Sequence, residues 1–188
     1  SYKMDNSAKL SLAYGKHSQI QPHYIYFTET YKRDSKEYSQ TNNELDFSKA
    51  HHFIAGYDQM IGKNFKLKVE SYYQHLYNVP IIGNGSTFWM LNVLEGYGKK
   101  GDNPALISEG KGRNLGMDIT FEKYLNNNLF FLISGSVYQS TYTIDDVGTF
   151  STRYDGRYAS SFMMGKEFTL KKNNAITFSI RNLFNGGL

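Results

Sequence analysis

The chain has 188 residues, a net charge of +4 and no cysteine, so one ordinary domain is expected and disulfide or thiolate–metal chemistry is excluded. Its lysines and arginines are dispersed, with no run of five like charges to form a nucleic-acid footprint. The longest apolar run, Leu129-Phe130-Phe131-Leu132-Ile133, is far shorter than the roughly 20 residues a membrane-spanning helix needs.

The aromatic fraction is 16%, with 16 Tyr, 13 Phe and one Trp. Tyr and Phe suit a pleated, half-buried surface, and amphipathic Tyr and Trp suit a membrane–water boundary. On composition alone a Tyr-rich soluble β-sandwich fits equally. The mean hydropathy of −0.53 is compatible with a membrane barrel, in which only alternate residues meet lipid and the others face a wet lumen.

Strands are read from period-two alternation, and the pattern predicts eight of them. Residues 9–17 set Leu10, Leu12 and Tyr14 against Ser11, Ala13 and Gly15. Two noisier strands follow at 22–32 and 51–60. Residues 65–77 oppose Phe65, Leu67, Val69, Tyr73 and Tyr77 to Lys66, Lys68, Glu70, Tyr72 and Gln74. That run exceeds the usual globular strand of about five or six residues and matches the roughly 9–11 tilted residues that cross a bilayer. The cleanest strand is 113–124, where Leu115, Met117, Ile119 and Phe121 alternate with Asn114, Gly116, Asp118, Thr120 and Glu122. A helix would scatter Asp118 and Glu122 onto the face of Leu115. Residues 129–142 place Leu129, Phe131, Ile133, Gly135 and Val137 on one face. Residues 157–170 share a parity through Tyr158, Phe162, Met164, Phe168 and Leu170 that Lys166 interrupts. Residues 174–184 alternate Ile176, Phe178 and Ile180 with Thr177, Ser179 and Arg181.

The connections alternate in length. Residues 61–64, 125–128 and 171–174 are short polar turns, whereas 33–49, 79–112 and 143–156 are long. A soluble sandwich has no reason to keep its long loops on one side. An outer-membrane barrel does so, with tight periplasmic turns and extended outer loops. The expected fold is therefore all-β: an antiparallel up-and-down meander of about eight strands belonging to a transmembrane barrel. No repeat, linker or internal domain boundary appears, so 1–188 reads as one segment.

Motifs that carry chemistry are sparse. His51 and His52 are adjacent on a strand and point to opposite faces, so they do not chelate one ion, and no metal site or cofactor is expected. Gly110-Lys111-Gly112-Arg113-Asn114-Leu115-Gly116 lacks the GxGxxG spacing and leads into a strand, so it reads as a flexible loop entering that strand and not as a phosphate cradle. Asp145-Asp146-Val147-Gly148 reads as turn chemistry without the acidic calcium-loop pattern. Glu70, Asp118 and Glu122 share a lumenal wall with Lys66, Lys68 and Arg181, which reads as a solvated polar surface. No nucleophile–base pair with supporting context points to an outer-membrane lipase or protease, and the protein is not expected to be an enzyme. The connection at 83–92 contains the sole Trp. Phe88 and Trp89 are the candidate ligand contacts there, unless the segment folds over the barrel mouth or simply packs on its neighbours.

Several segments in order resemble the barrel of TonB-dependent outer-membrane receptors in the form found in Bacteroidetes. They are Tyr14-Gly15-Lys16-His17-Ser18-Gln19 with Pro22 and Ile25-Tyr26-Phe27, Lys49-Ala50-His51-His52, Gly56-Tyr57-Asp58, and Glu70 through Pro80. Gly110 through Gly116, Ser140-Thr141-Tyr142 and Gly165-Lys166-Glu167-Phe168 continue the series. The resemblance implies part of a roughly 22-stranded barrel, plugged by a separate domain and driven by the TonB complex. It further implies outer-membrane lipid as surroundings and uptake of a scarce nutrient such as an iron chelate, haem, a cobalamin or a glycan. No apolar signal stretch opens the chain, and it stops at Asn185-Gly186-Gly187-Leu188 without the family's closing aromatic strand. The plug and final strands are thus expected to lie outside this sequence, and an isolated piece is expected to self-associate through its strand edges or to curl into a smaller closed or sandwiched form. The alternative is a complete small eight-stranded outer-membrane barrel with a structural or adhesion role, eight being the smallest such size.

Overall fold

The computed structural model describes residues 1–3, 7–83, 85–93, 97, 103–171 and 174–187. Seven long strands dominate: β2 (Ala8–Gln19), β5 (Ser48–Ile61), β6 (Phe65–Ile82), β7 (Leu106–Asn126), β8 (Leu129–Ile144), β10 (Tyr158–Thr169) and β11 (Ala175–Asn185). Shorter pieces are β1 (Tyr2–Lys3), β3 (Glu29–Lys32), β4 (Glu37–Gln40) and β9 (Gly148–Ser151). The main sheet is nine-stranded, in the order β1-β2-β5-β6-β7-β8-β10-β11 with β9 attached to β8, while β3 and β4 form a separate hairpin. Every pairing is antiparallel and joins neighbours in the meander, so the fold is an up-and-down sheet as the alternation predicts. Among the described residues the path is open: no pairing joins β11 to β1 or β2.

One expected strand is absent from the sheet. Residues 22–32 instead form a one-turn helix, α1 (His23–Tyr26), followed by β3, and β2 pairs directly with β5 from Ala8↔Gln59 to Gln19↔Ser48. Pro22 has no N–H for a ladder, but its carbonyl accepts from the Ile25 N–H at 2.9 Å. The apolar run at 25–27 reflects a buried Ile25 anchoring a loop, which mimics a strand in composition. Removing this strand leaves the length alternation intact. Connections 20–47, 83–105 and 145–157 are long and lie at one end of the sheet. Connections 62–64, 127–128 and 170–174 lie at the other. Asn127 and Asn128, at φ 52° and 59°, close the β7–β8 hairpin as a two-residue type I′ turn whose twist matches its strands.

The strands also run past their expected limits on the long-connection side, because pairing continues there: Ile82↔Leu106 extends β6–β7 and Lys111↔Thr143 extends β7–β8. The segment 110–116 is therefore inside β7 and is not a flexible loop. Of the expected features, Met4, Asp5, Asn84, Lys172, Asn173 and Leu188 lie outside the described residues.

Register puts every predicted apolar set on the same face, since directly paired residues share a face. One row reads Leu10, Tyr57, Val69, Ile119, Gly135; another reads Leu12, Ala55, Ser71, Met117, Val137. The opposite, polar face carries rows such as Ser11, Gly56, Glu70, Asp118, Ser136. Burial runs opposite to that of a water-soluble sheet. Leu12, Met117 and Val137 are 82%, 47% and 55% exposed, while Asp118, Thr120 and Ser136 are half-buried. The buried hydrophobic cluster is confined to the long-connection end, where Ile25, Leu45, Val79, Ile81, Trp89, Met90, Tyr97, Leu106, Tyr142 and Ile144 pack together.

Candidate functional site

The polar face and the long connections at its end meet in one continuous structure. A concavity of about 520 Å³ opens on the polar face, lined among others by His52, Glu70, Tyr72, Asn114, Asp118 and Tyr138. Its walls come from β5, β6, β7 and β8, and one rim comes from Tyr154 in the 145–157 connection.

Glycines in alternate positions of β7 make room for the aromatic lining. A Cβ on Gly116 would lie 2.6 Å from the Tyr72 hydroxyl and 2.9 Å from the Tyr138 Cβ, so both side chains lie across a strand that offers only backbone. A Cβ on Gly110 would lie 2.6 Å from the Trp89 ring, and one on Gly112 would lie 3.0 Å from it. The glycine-rich segment is thus a row of seats for rings, a role that strand parity makes possible because 110, 112 and 116 share the polar face.

A hydrogen-bonded chain crosses the rim. Asn114 donates to the Gln74 side chain at 2.8 Å, Ser140 donates to Asn114 at 2.6 Å, and Thr152 donates to the Ser140 hydroxyl at 2.7 Å. Asp155, buried at 3% exposure, accepts from the Ser140 N–H at 3.1 Å and the Ser151 hydroxyl at 2.8 Å. The 145–157 connection is thereby fixed to three strands, each buried polar atom in this chain having a partner.

A second clip sits beside it. Asn42 is fully buried. Its amide donates to the Ile25 carbonyl at 3.1 Å and to the Tyr97 hydroxyl at 3.0 Å, and its oxygen accepts from the Leu106 N–H at 3.0 Å. The Tyr97 hydroxyl in turn donates a hydrogen bond to the Pro104 carbonyl. Burial holds the Tyr97 hydroxyl above the usual tyrosine pKa, the hydrogen bond from Asn42 opposing that in part. One asparagine therefore ties the 20–47 and 83–105 connections to the start of β7.

The residues singled out from sequence are distributed across this architecture. Trp89 is 3% exposed and stacks on Tyr142 at 5.1 Å and 21°. Phe88 is half-buried and tilts against Tyr97 at 5.8 Å. His51 and His52 do point to opposite faces: His52 lines the concavity, and His51 stacks on Tyr14 and Tyr77 across the apolar face. Asp145 through Gly148 turn from β8 into β9, and the Asp145 carboxylate pairs with Lys111 at 2.7 Å. Glu70 and Asp118 are direct cross-strand partners, and Glu122 is paired with Lys66 in register. Lys68 bridges to Glu70, and Lys66 reaches Asp58 at 3.7 Å. Arg181 does not stand beside them: it lies on β11 opposite Met163, three strands from β7. Among the described residues no three His, Cys, Asp or Glu side chains converge as metal ligands. Asn42, Asp155 and Thr152 escaped the sequence reading because loop asparagines, aspartates and threonines are too common to signal burial.

No protein-family model and no curated protein sequence matches the chain. Among solved structures, the FrpB iron transporter from Neisseria meningitidis (F3-3 variant) superposes with a TM-score of 0.52 at 11% identity. The alignment covers 98% of this chain and 30% of that transporter, so the chain spans under a third of its neighbour's length. At this identity the likeness is one of fold alone: the antiparallel meander described above is similar to a stretch of that chain.

Proposed function

We propose that the chain is a wall segment of an outer-membrane receptor of the TonB-dependent kind, in a barrel whose plug domain and remaining strands lie outside this sequence, and that it takes part in uptake of a scarce nutrient. The observation that carries this reading is the inverted burial of the sheet. A row of exposed Leu, Met, Ile and Val backed by half-buried Asp, Thr and Ser is the pattern of a sheet with lipid on its apolar side and a wet lumen on the other. On this reading the apolar face meets lipid, the polar face lines the lumen, and the long connections are outer loops. From Phe65 to Tyr73 the apolar parity spans nine residues of β6, within the roughly 9–11 a tilted spanning strand uses. Rings bracket that band, with Phe65, Phe121 and Phe131 clustered at the short-turn end and Tyr14, Phe53 and Tyr73 at the other.

The open path of the sheet favours a segment of a larger wall over a closed eight-stranded barrel. An iron chelate is the first nutrient to try, because the fold neighbour is an iron transporter; haem, a cobalamin and a glycan follow. Of the two candidate residues in the 83–105 connection, half-buried Phe88 is assigned the ligand contact and Trp89, buried against Tyr142, is assigned the positioning of the loop. The motif resemblance speaks for the Bacteroidetes form of that receptor.

The test is growth of a strain lacking the full-length gene on ferric chelate, haem, cobalamin or oligosaccharide as limiting nutrient, with and without a protonophore. Loss of growth on one nutrient, restored by the gene and abolished by the protonophore, is expected. Unimpaired growth and uptake on all four would overturn the proposal.

A further inference from the structure

One feature of the apolar face is not apolar. Immediately beyond the row Tyr14, Phe53, Tyr73, Leu115 on the long-connection side, register aligns Lys16, His51, His75 and Arg113 on four consecutive strands, β2, β5, β6 and β7. Neighbouring strands lie about 4.8 Å apart, so the four side chains span about 14 Å, the width of one or two lipid headgroups.

The row is built and not a scatter of surface charge. Tyr77 stacks between His51 and His75, at 5.4 Å and 13° on one side and 6.0 Å and 16° on the other. His51 also stacks on Tyr14 and shares a 2.8 Å hydrogen bond with its hydroxyl. Arg113 is exposed and donates to the neutral Gln139 side chain at 3.3 Å. Lys16 is exposed and forms no ion pair among the described residues. Two carboxylates at this end have partners of their own, Asp145 in Lys111 at 2.7 Å and Asp46 in the Asn78 amide at 3.2 Å. An ammonium, a guanidinium fork and two imidazoles thus stand in line at the edge of an apolar band, and none of the four forms an ion pair among the described residues.

We infer that this row is a seat for the phosphate of an anionic lipid headgroup in the leaflet on the long-connection side, with the acyl chains lying along Tyr14, Phe53, Tyr73 and Leu115. The inference rests on the reading that the apolar face meets lipid. Guanidinium and ammonium groups are the side chains that pair with phosphate, and a position just past the aromatic row is the depth at which headgroup phosphates lie. The concave apolar surface formed by Leu12, Tyr14, Phe53, Tyr73 and Leu115 directly below the row supplies a place for the chains.

The test reconstitutes the full-length gene product in phosphatidylcholine bilayers doped with diphosphorylated lipid A, and measures lipid retained through detergent purification. Wild type is expected to enrich the phosphorylated lipid over phosphatidylcholine. The double variant Lys16→Ala/Arg113→Ala is expected to lose about tenfold or more of that enrichment, and Lys16→Arg/Arg113→Lys to retain most of it. Equal retention of both lipids by wild type, undiminished enrichment in the alanine variant, or competition by inorganic phosphate as effective as that by lipid would each overturn the inference. Failure of wild type to enter the bilayer at all would instead overturn the membrane reading on which it rests.

Discussion

Trp89 covers Gly110 so closely that a single methyl group at residue 110 would meet the indole at 2.6 Å and the Val79 carbonyl at 2.7 Å. The contact joins a long connection to the strand beneath it, and its second wall is the stacked ring of Tyr142. Gly110→Ala is therefore expected to cost about 1–3 kcal/mol of local packing, with the strain taken up by the loop, since the sheet backbone is held on both sides. Limited proteolysis should show faster cleavage within 83–105 and an unchanged rate elsewhere.

Asn42→Ala should loosen two connections at once. It leaves the Leu106 N–H, the Ile25 carbonyl and the Tyr97 hydroxyl without their asparagine partner in a buried site, at about 1–3 kcal/mol for each group left unsatisfied. Protease sensitivity should rise in both 20–47 and 83–105, whereas Asn43→Ala, one residue along on the exposed side, should change neither.

The same clip predicts an alkaline limit. Burial raises the Tyr97 pKa in the folded state above its unfolded value of about 10, so the folded state holds its proton the more tightly. The associated stability is complete below the unfolded pKa and is lost as pH rises through the folded one. Protection of 83–105 from proteolysis should therefore fall above about pH 10. In Tyr97→Phe the protection should be lower at neutral pH but flat across that range.

How much of this was legible in the sequence varies with the physics involved. The strands 65–77, 113–124 and 129–142 were plain because each alternates cleanly and pairs with like neighbours on both sides. Residues 22–32 misled because Ile25, Tyr26 and Phe27 have strand composition, but Pro22 and a local carbonyl bond turn them into α1. Strand limits were short on one side because Ile81, Ile82 and Leu106 pair beyond the alternating region, where the Trp89 cluster buries one face and the sequence's period-two signal fades. Gly110 and Gly112 read as flexibility when their function is to admit a ring, and only the position of Trp89 shows that. Asn42 carried no signal at all, since its role depends on three segments far apart in the chain.

The polar rim makes a further prediction. Asn114→Ala removes the link between Gln74 and Ser140 and leaves Ser140 holding the 145–157 connection through Thr152 and Asp155 alone. On the proposed function, nutrient uptake should fall with little change in the stability of the sheet, because the strand ladder of β7 is untouched. Asp155→Ala frees the connection at its buried end and should have the larger effect on uptake.

Which face of the sheet meets lipid, if the sheet is a membrane wall, is directly measurable. The chain has no cysteine, so single cysteines placed at each position from 113 to 122 in a cysteine-free full-length protein, spin-labelled in bilayers, give a direct reading. Collision rates with oxygen should peak at 115, 117, 119 and 121, and those with a water-soluble nickel chelate at 114, 116, 118, 120 and 122. The opposite phase, or uniform access of the chelate to both sets, would contradict the membrane-wall reading.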